Sequence, residues 1–136
     1  MAYVEPLTPQ DAPKQPSVLI VDDTPDGRDI YSLHLQLQGF TVLTACDGAE
    51  GVELARAHGP DVIIMDLAMA RLDGISATKH LKRDARTRRI PVIILTAYPE
   101  KQVQQRAMEA GASVFLTKPC LPDVLESQIR QLLAPR

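Results

Sequence analysis

Short aliphatic runs alternate with longer segments of helical period from Ser17 onward, and this alternation limits the possible folds more than any other feature. It is typical of a parallel sheet with helices on both faces. The first, third and fourth runs are apolar almost throughout, as expected of strands covered on both sides, whereas the second resembles an edge strand. The sequence therefore predicts an α/β fold with a doubly wound, five-stranded parallel sheet, for which 2-1-3-4-5 is one of the common strand orders. The predicted strands are Val18 to Val21, Thr41 to Ala45, Val62 to Met65, Ile90 to Leu95 and Ser113 to Leu116.

The segments between these runs carry residues that start helices. Thr24 and Pro25 suit the beginning of the first helix, and Asp73 suits the cap of the third. We predict that each helix buries one apolar stripe against the sheet. In the first helix the predicted stripe consists of Ile30, Leu33 and Leu37.

The length and composition predict one globular domain. The chain has 136 residues and 45% hydrophobic content, which is enough for a single core without stabilising cross-links. We assign residues 17–136 to this domain. Residues 1–16 include Pro6, Pro9 and Pro13 and are interpreted as a flexible, proline-rich leader.

The charge balance excludes some classes of partner. The net charge is -2, from 15 basic and 17 acidic residues, so the chain offers no basic face for direct binding of nucleic acid or a membrane. No apolar run approaches the roughly 20 residues of a membrane-spanning helix. The two cysteines lie far apart and no signal-peptide pattern is present. We therefore expect a cytoplasmic protein.

Polar residues follow four of the five predicted strands, at the edge where doubly wound sheets collect their ligands. Asp22 and Asp23 follow the first strand, Asp66 the third, Thr96 the fourth and Lys118 the fifth. If the first and third strands are neighbours, the carboxylates meet. Carboxylates about 4 Å apart repel by roughly 4 kcal/mol per pair at an effective dielectric near 20. A hard cation such as Mg²⁺ would relieve this repulsion, and without it we expect at least one carboxyl pKa to rise.

Five motifs, taken in their order and spacing, resemble those of one family. They are VDD at Val21 to Asp23, the DVIIMD run that ends at Asp66, MARLDG at Met69 to Gly74, LTA at Leu95 to Ala97 and FLTKP at Phe115 to Pro119. Together they resemble the receiver domain of bacterial response regulators, and the resemblance extends from Ser17 to Leu133. It implies a flavodoxin-like fold, with the strand order 2-1-3-4-5 and helices on both faces, and a role in two-component signalling or a phosphorelay.

The resemblance implies a phosphoryl-accepting site at the strand ends. Asp66 would take a phosphoryl group from a phosphohistidine on a histidine kinase or a histidine phosphotransfer protein. Asp23, Asp66 and the backbone carbonyl of Ala68 would bind Mg²⁺, for which Mn²⁺ can substitute, and Asp22 would act through a metal-bound water. Such a protein takes part in its own phosphorylation but is a signalling switch, not an enzyme.

The same resemblance implies how the phosphoryl group would be sensed. Lys118 and the Thr96 hydroxyl would contact the phosphoryl oxygens. Thr96 and Phe115 would then change the face built from helix 4, strand 5 and helix 5, where a downstream protein would bind. A simpler alternative for Phe115 is core packing alone, since aromatic residues are common in strands. The family-like Lys118-Pro119 bond also favours a cis peptide.

The leading hypothesis, a stand-alone response regulator, has three alternatives. The chain is also compatible with a receiver domain excised from a hybrid histidine kinase or a larger regulator. A haloacid-dehalogenase-like phosphohydrolase would need a second aspartate two residues after its nucleophile, where this chain has Ala68. A flavodoxin-like FMN binder would need a phosphate loop rich in serine, threonine and glycine, whereas Asp22 and Asp23 would repel that phosphate.

The sequence departs from the receiver-domain pattern at one position of interest. Ala70 stands where the family commonly has proline, and we expect it to loosen the loop after Asp66.

Overall fold

The computed structural model describes residues 15–67, 69 and 73–135, which form one five-stranded parallel sheet with five helices. The strand order is β2-β1-β3-β4-β5, so the predicted topology is confirmed. The strands are β1 Ser17–Val21, β2 Thr41–Ala45, β3 Val62–Met65, β4 Val92–Thr96 and β5 Val114–Thr117. The helices are α1 Pro25–Leu37, α2 Gly48–His58, α3 Gly74–Arg83, α4 Lys101–Ala110 and α5 Pro122–Leu133. Only Gln15 and Pro16 of the predicted leader lie within the described residues.

The sheet separates two hydrophobic clusters, one on each face. The first packs α2, α3 and α4 against the sheet through residues such as Val52, Leu81 and Ala107. The second packs α1 and α5 through residues such as Leu35 and Ile129. Since β3 and β4 are buried along their whole length, they are apolar at almost every position, as the sequence predicted for central strands.

Helix α1 buries a different stripe from the predicted one. Tyr31 and Leu35 face the core, whereas the predicted stripe is exposed by 58% at Ile30, 60% at Leu33 and 75% at Leu37. Both stripes have helical spacing, so periodicity alone could not choose between them. The choice follows from Tyr31, whose hydroxyl donates a 2.8 Å hydrogen bond to the carbonyl of Cys120 while its ring packs against the sheet.

Strand β4 begins two residues later than predicted, at Val92. The Ile90 N–H donates to the carbonyl of Thr87 over 3.0 Å and so closes a turn after α3. Pro91 has no N–H to give to a strand ladder. Strand β5 is likewise shifted by one residue and extends to Thr117.

Side-chain caps fix the starts of α2 and α3 near the carboxyl edge of the sheet. Asp47 accepts a hydrogen bond from the Glu50 N–H, and Asp73 accepts one from the Ser76 N–H. The prediction that Asp73 is a helix cap is thus confirmed. Within the described residues, no helix combines the length and the apolar content that a bilayer span requires.

Candidate functional site

The ends of β1 and β3 bring three carboxylates together at one rim of the sheet. β1 and β3 are hydrogen-bonded neighbours, and Val21 pairs with Met65 immediately before the acidic residues. One carboxylate oxygen from each of Asp22, Asp23 and Asp66 lies within 4.8 Å of the others. Asp22 and Asp66 are buried, whereas Asp23 is exposed, so the cluster opens to solvent on one side. The fold therefore brings these three side chains together, as the sequence analysis expected.

Lys118 places a positive charge between two of these carboxylates. Its Nζ lies 2.9 Å from Asp22 Oδ2 and 3.7 Å from Asp66 Oδ2. The Lys118 N–H also donates to the carbonyl of Thr96 over 2.8 Å, and this bond ties the end of β5 to the end of β4. The Lys118-Pro119 peptide bond is cis, as predicted. The lysine is therefore held at the acidic rim through its backbone as well as its side chain.

The protonation of this pair is set by opposing effects. Burial by itself would raise the pKa of Asp22, but hydrogen bonds from Thr24 and Lys118 hold it below its ordinary value. Burial would likewise lower the pKa of Lys118, but the Asp22 hydrogen bond and the charges of Asp66 and Asp22 raise it. The pKa of Asp22 is therefore lowered, whereas the sequence analysis expected a rise for at least one carboxyl of the cluster without specifying which. The hydrogen bonds from Thr24 and the nearby Lys118 ammonium together outweigh the effect of burial on this carboxylate.

Three residues that the sequence analysis did not assign to the site surround Asp22. Thr24 donates to Asp22 Oδ1 from its N–H over 2.9 Å and from its hydroxyl over 2.7 Å. Thr24 occupies the cap position of α1, but its side chain makes no capping bond there, because the hydroxyl serves Asp22. Arg28 donates to the Asp22 carbonyl over 2.6 Å, and Gly27 packs directly against the Asp22 carboxylate. The sequence offered no sign of these contacts beyond nearness along the chain.

Asp66 is held by the backbone that follows it. Its Oδ1 accepts a 2.7 Å hydrogen bond from the Leu67 N–H, and the Leu67 carbonyl accepts one of 3.0 Å from the Gly74 N–H. Gly74 packs so closely on the Asp66 carbonyl that a Cβ atom would collide with it. The two positions of interest in this loop, Ala68 and Ala70, lie outside the described residues.

The two predicted switch residues lie on adjacent strands beside this rim. Thr96 is the last residue of β4 and is fully buried, and its hydroxyl accepts a 3.3 Å hydrogen bond from the Tyr98 N–H. Phe115 lies in β5 opposite Ile94, is partly buried and packs against the cluster formed with α2, α3 and α4. Tyr98 is half exposed. Thr96 is thus linked to Lys118 through the backbone and to Tyr98 through its side chain.

A second group of polar side chains joins α1 to α5. His34 Nε2 lies 2.8 Å from Glu126 Oε1 and 3.6 Å from Asp123 Oδ1. Glu126 also accepts a hydrogen bond from Arg130 over 2.8 Å. Sequence spacing could not reveal this group, since His34 and Glu126 are 92 positions apart. A guanidinium on the same carboxylate favours an ion-pair network between the helices over a metal site.

The charged side chains at the acidic rim determine which ions it can bind. Three carboxylates supply hard oxygen ligands, the kind that Mg²⁺ prefers, and they are open to solvent through Asp23. The buried oxygens of Asp22 and Asp66 converge on the Lys118 ammonium, which can also neutralise an anion. The residues present therefore fit a site that binds a divalent cation and an anionic group side by side.

Comparisons with known proteins agree with this geometry. Residues 18–130 match the sequence profile of the response regulator receiver domain. The chain is 40% identical over 117 residues to the protein PilH of Pseudomonas aeruginosa, an alignment that covers 86% of this chain and 97% of PilH. It is 38% identical over 118 residues to the DNA-binding dual master transcriptional regulator RpaA of Synechocystis sp., which covers 87% of this chain but 49% of RpaA. The chain thus spans about half the length of RpaA.

A solved structure extends the similarity from sequence to fold. The receiver domain of the sensor histidine kinase PA1611 from Pseudomonas aeruginosa superimposes with a TM-score of 0.82 at 28% identity, covering 88% of this chain and 98% of that one. That structure has a magnesium ion coordinated in its active-site cleft. The profile match, the relatives and the shared fold lead to one conclusion: this chain belongs to the response regulator receiver domain family of two-component signalling.

Proposed function

We propose that this chain is a phosphoacceptor whose Asp66 receives a phosphoryl group from a phosphohistidine of a histidine kinase or a histidine phosphotransfer protein. The observation that carries the proposal is the convergence of Asp22, Asp23 and Asp66 at one rim with the Lys118 ammonium among them. The proposed protein is a signalling switch in the cytoplasm whose partners are proteins, not nucleic acids or membranes.

The proposed cofactor is Mg²⁺, with Mn²⁺ as a substitute. Asp23 and Asp66 would hold it directly and Asp22 through a bound water, and the carbonyl of Ala68, outside the described residues, stays a prediction as a further ligand. When bound, the cation supplies positive charge beside the transferring phosphoryl group. The magnesium ion in the PA1611 receiver domain supports this choice.

Asp66 would act as the nucleophile. One of its carboxylate oxygens would attack phosphorus, so that an O–P bond forms as the P–N bond to the partner's imidazole breaks. The electron pair of the broken bond returns to the imidazole nitrogen. The Leu67 N–H, 2.7 Å from Asp66 Oδ1, supports the role by fixing the orientation of the carboxylate.

Lys118 and Thr96 would bind the oxygens of the transferred group. Lys118 Nζ is closer to Asp22 than to Asp66, by 2.9 Å against 3.7 Å, so a phosphoryl group on Asp66 would draw it from one carboxylate towards the other. Thr96 is joined to Lys118 by a backbone hydrogen bond of 2.8 Å, which supports a shared response of the two residues.

The proposed output surface is the face formed by α4, β5 and α5, with Thr96 and Phe115 as the switch. Support comes from three large apolar side chains exposed on or beside α4 and α5, namely Met108 at 42%, Leu121 at 70% and Val124 at 45%. Apolar residues of this size at the surface suit contact with a protein. The proposed occupant is a downstream protein that binds this face when Asp66 is phosphorylated.

Within this proposal the chain consists of a leader, residues 1–16, and the receiver domain, residues 17–136. We propose that it acts as a stand-alone response regulator, and the near-complete coverage of PilH supports this. A receiver domain within a histidine kinase is the alternative, and the similarity to the PA1611 domain favours keeping it.

The direct test is incubation with acetyl phosphate, with and without Mg²⁺, followed by intact-mass measurement. We expect the mass to increase by one phosphoryl group when Mg²⁺ is present and to stay unchanged when EDTA removes it. Beryllofluoride, which mimics a phosphoryl group, should shift NMR resonances around Asp66 under the same metal requirement. Equal labelling with and without a divalent cation would contradict the metal's role.

Lys118→Ala is expected to keep Mg²⁺ binding while weakening the conformational change that follows phosphorylation. The ammonium is proposed to contact phosphoryl oxygens and not the metal, so its removal should spare the ligand set. NMR shifts of Tyr98 and Phe115 on addition of beryllofluoride and Mg²⁺ would measure the change. Lys79→Ala, at an exposed position of α3, is the matched control. Equal responses in Lys118→Ala and the wild type would contradict this role for Lys118.

A further inference from the structure

Gly27 lies in the first turn of α1, directly against the carboxylate of Asp22. A Cβ atom at this position would lie 2.7 Å from Asp22 Oδ2 and 2.9 Å from Thr24 Oγ1, both closer than real Cβ contacts. The backbone itself does not require glycine here, because among the described glycines only Gly39, Gly59 and Gly111 have a positive φ. The space that Gly27 leaves is therefore matched to the Asp22 side chain.

The Asp22 carboxylate cannot easily move aside to admit a larger residue. Its Oδ1 accepts two hydrogen bonds from Thr24, of 2.9 and 2.7 Å, and its Oδ2 accepts one of 2.9 Å from Lys118. The side chain is 5% exposed. Displacing it would break at least one of these bonds in a buried setting, where an unpaired charged group is costly.

We propose that Gly27 is a positioning residue for the phosphoacceptor site, and that its missing side chain lets Asp22 keep the Lys118 ammonium closer to itself than to Asp66. The inference rests on the proposed function. Lys118 Nζ is 2.9 Å from Asp22 Oδ2 but 3.7 Å from Asp66 Oδ2. A side chain at position 27 displaces the Asp22 carboxylate, and the Lys118 ammonium then moves closer to Asp66, with which it already forms an ion pair. A lysine held closer to Asp66 competes more strongly with Mg²⁺ for that carboxylate.

The expected effect of Gly27→Ala is a loss of Mg²⁺ affinity of about tenfold, the lower end of the range for residues that orient metal ligands. Alanine is a better helix former than glycine, so the substitution by itself favours α1. A residue with only a helical role would leave metal affinity unchanged. The two effects therefore separate a positioning role from a structural one.

The experiment is a Mg²⁺ titration of the full chain followed by NMR, for the wild type, Gly27→Ala and the control Gln36→Ala. Gln36 is an exposed, uncharged position on the same helix. The expected result is a weaker Mg²⁺ affinity and a changed Lys118 side-chain resonance in Gly27→Ala alone. An unchanged affinity in Gly27→Ala would overturn the inference.

A second experiment repeats the Mg²⁺ titration in the Asp22→Ala variant, with and without Gly27→Ala. With the Asp22 carboxylate gone, adding Gly27→Ala should change neither Mg²⁺ affinity nor folding, because the group it displaces is absent. If Gly27→Ala alone proves unstable, the double variant should regain the stability of Asp22→Ala. A further tenfold loss in the double variant would contradict the inference. A wild type that neither binds Mg²⁺ nor is labelled by acetyl phosphate would instead contradict the proposed function, whatever Gly27→Ala does.

Discussion

Replacing Asp66 by asparagine is expected to abolish labelling by acetyl phosphate in the presence of Mg²⁺. The amide lacks the anionic oxygen that attacks phosphorus, so the O–P bond cannot form. The substitution should disturb the fold little, because the amide oxygen can still accept the hydrogen bond that Leu67 N–H gives to Asp66 Oδ1 over 2.7 Å. Intact mass under conditions that label the wild type fully is the measurement.

Asp61→Asn is the matched control for this substitution. Asp61 precedes β3 at the opposite rim of the sheet, where it accepts hydrogen bonds from Ser17. This substitution changes the same chemical group and the net charge by the same amount at the other end of β3, so the variant should be labelled like the wild type. Retained labelling in Asp66→Asn would remove Asp66 from its proposed role, whereas loss in both variants would point to a general effect of charge.

Gly74→Ala is expected to destabilise the domain by about 3 kcal/mol, the upper part of the usual range for overpacking. The added Cβ would collide with the Asp66 carbonyl and lie 2.9 Å from Leu67 Cα, and these are backbone atoms that no rotamer change can move. Because α3 begins at Gly74, relief of the collision would displace the helix or the segment after Asp66. Urea unfolding followed by circular dichroism would measure the loss.

Gly39→Ala separates this collision from backbone strain. Gly39 has φ of 95° with nothing within 4 Å of an added Cβ, so alanine there meets strain but no clash. Its expected cost is about 1 to 2 kcal/mol, the usual cost of a left-handed conformation for a residue with a Cβ. A Gly74→Ala variant that unfolds at the wild-type urea concentration would show that the contact with Asp66 is less tight than the structure indicates.

The fold could be predicted because strands buried on both faces must be apolar throughout. β1, β3 and β4 therefore stood out in the sequence, whereas the order of the strands in the sheet was implied by the resemblance to receiver domains. The face of α1 could not be predicted from spacing. Two apolar stripes were available, and the one containing Tyr31 is buried because its hydroxyl reaches Cys120, 89 positions away.

The site was predictable to the extent that it depends on strand ends. Parallel strands finish at one rim, so the residues after β1, β3 and β5 had to meet, and Asp22, Asp66 and Lys118 do. The support of Asp22 by Thr24, Arg28 and Gly27 was missed, because it depends on the direction of one side chain. The pattern suggested a helix cap for Thr24, and only the hydrogen bonds show that its hydroxyl serves the carboxylate instead.

The ion pair between Lys118 and Asp22 bears on what holds the domain together before any ligand arrives. Small zinc-dependent domains unfold when chelators remove their metal, because nothing else offsets the repulsion and ordering of the ligands. Here an ammonium group from the chain itself acts as the counter-ion of the acidic rim. Because the domain carries this counter-ion itself, charge repulsion within the acidic rim does not have to delay folding until a cation binds.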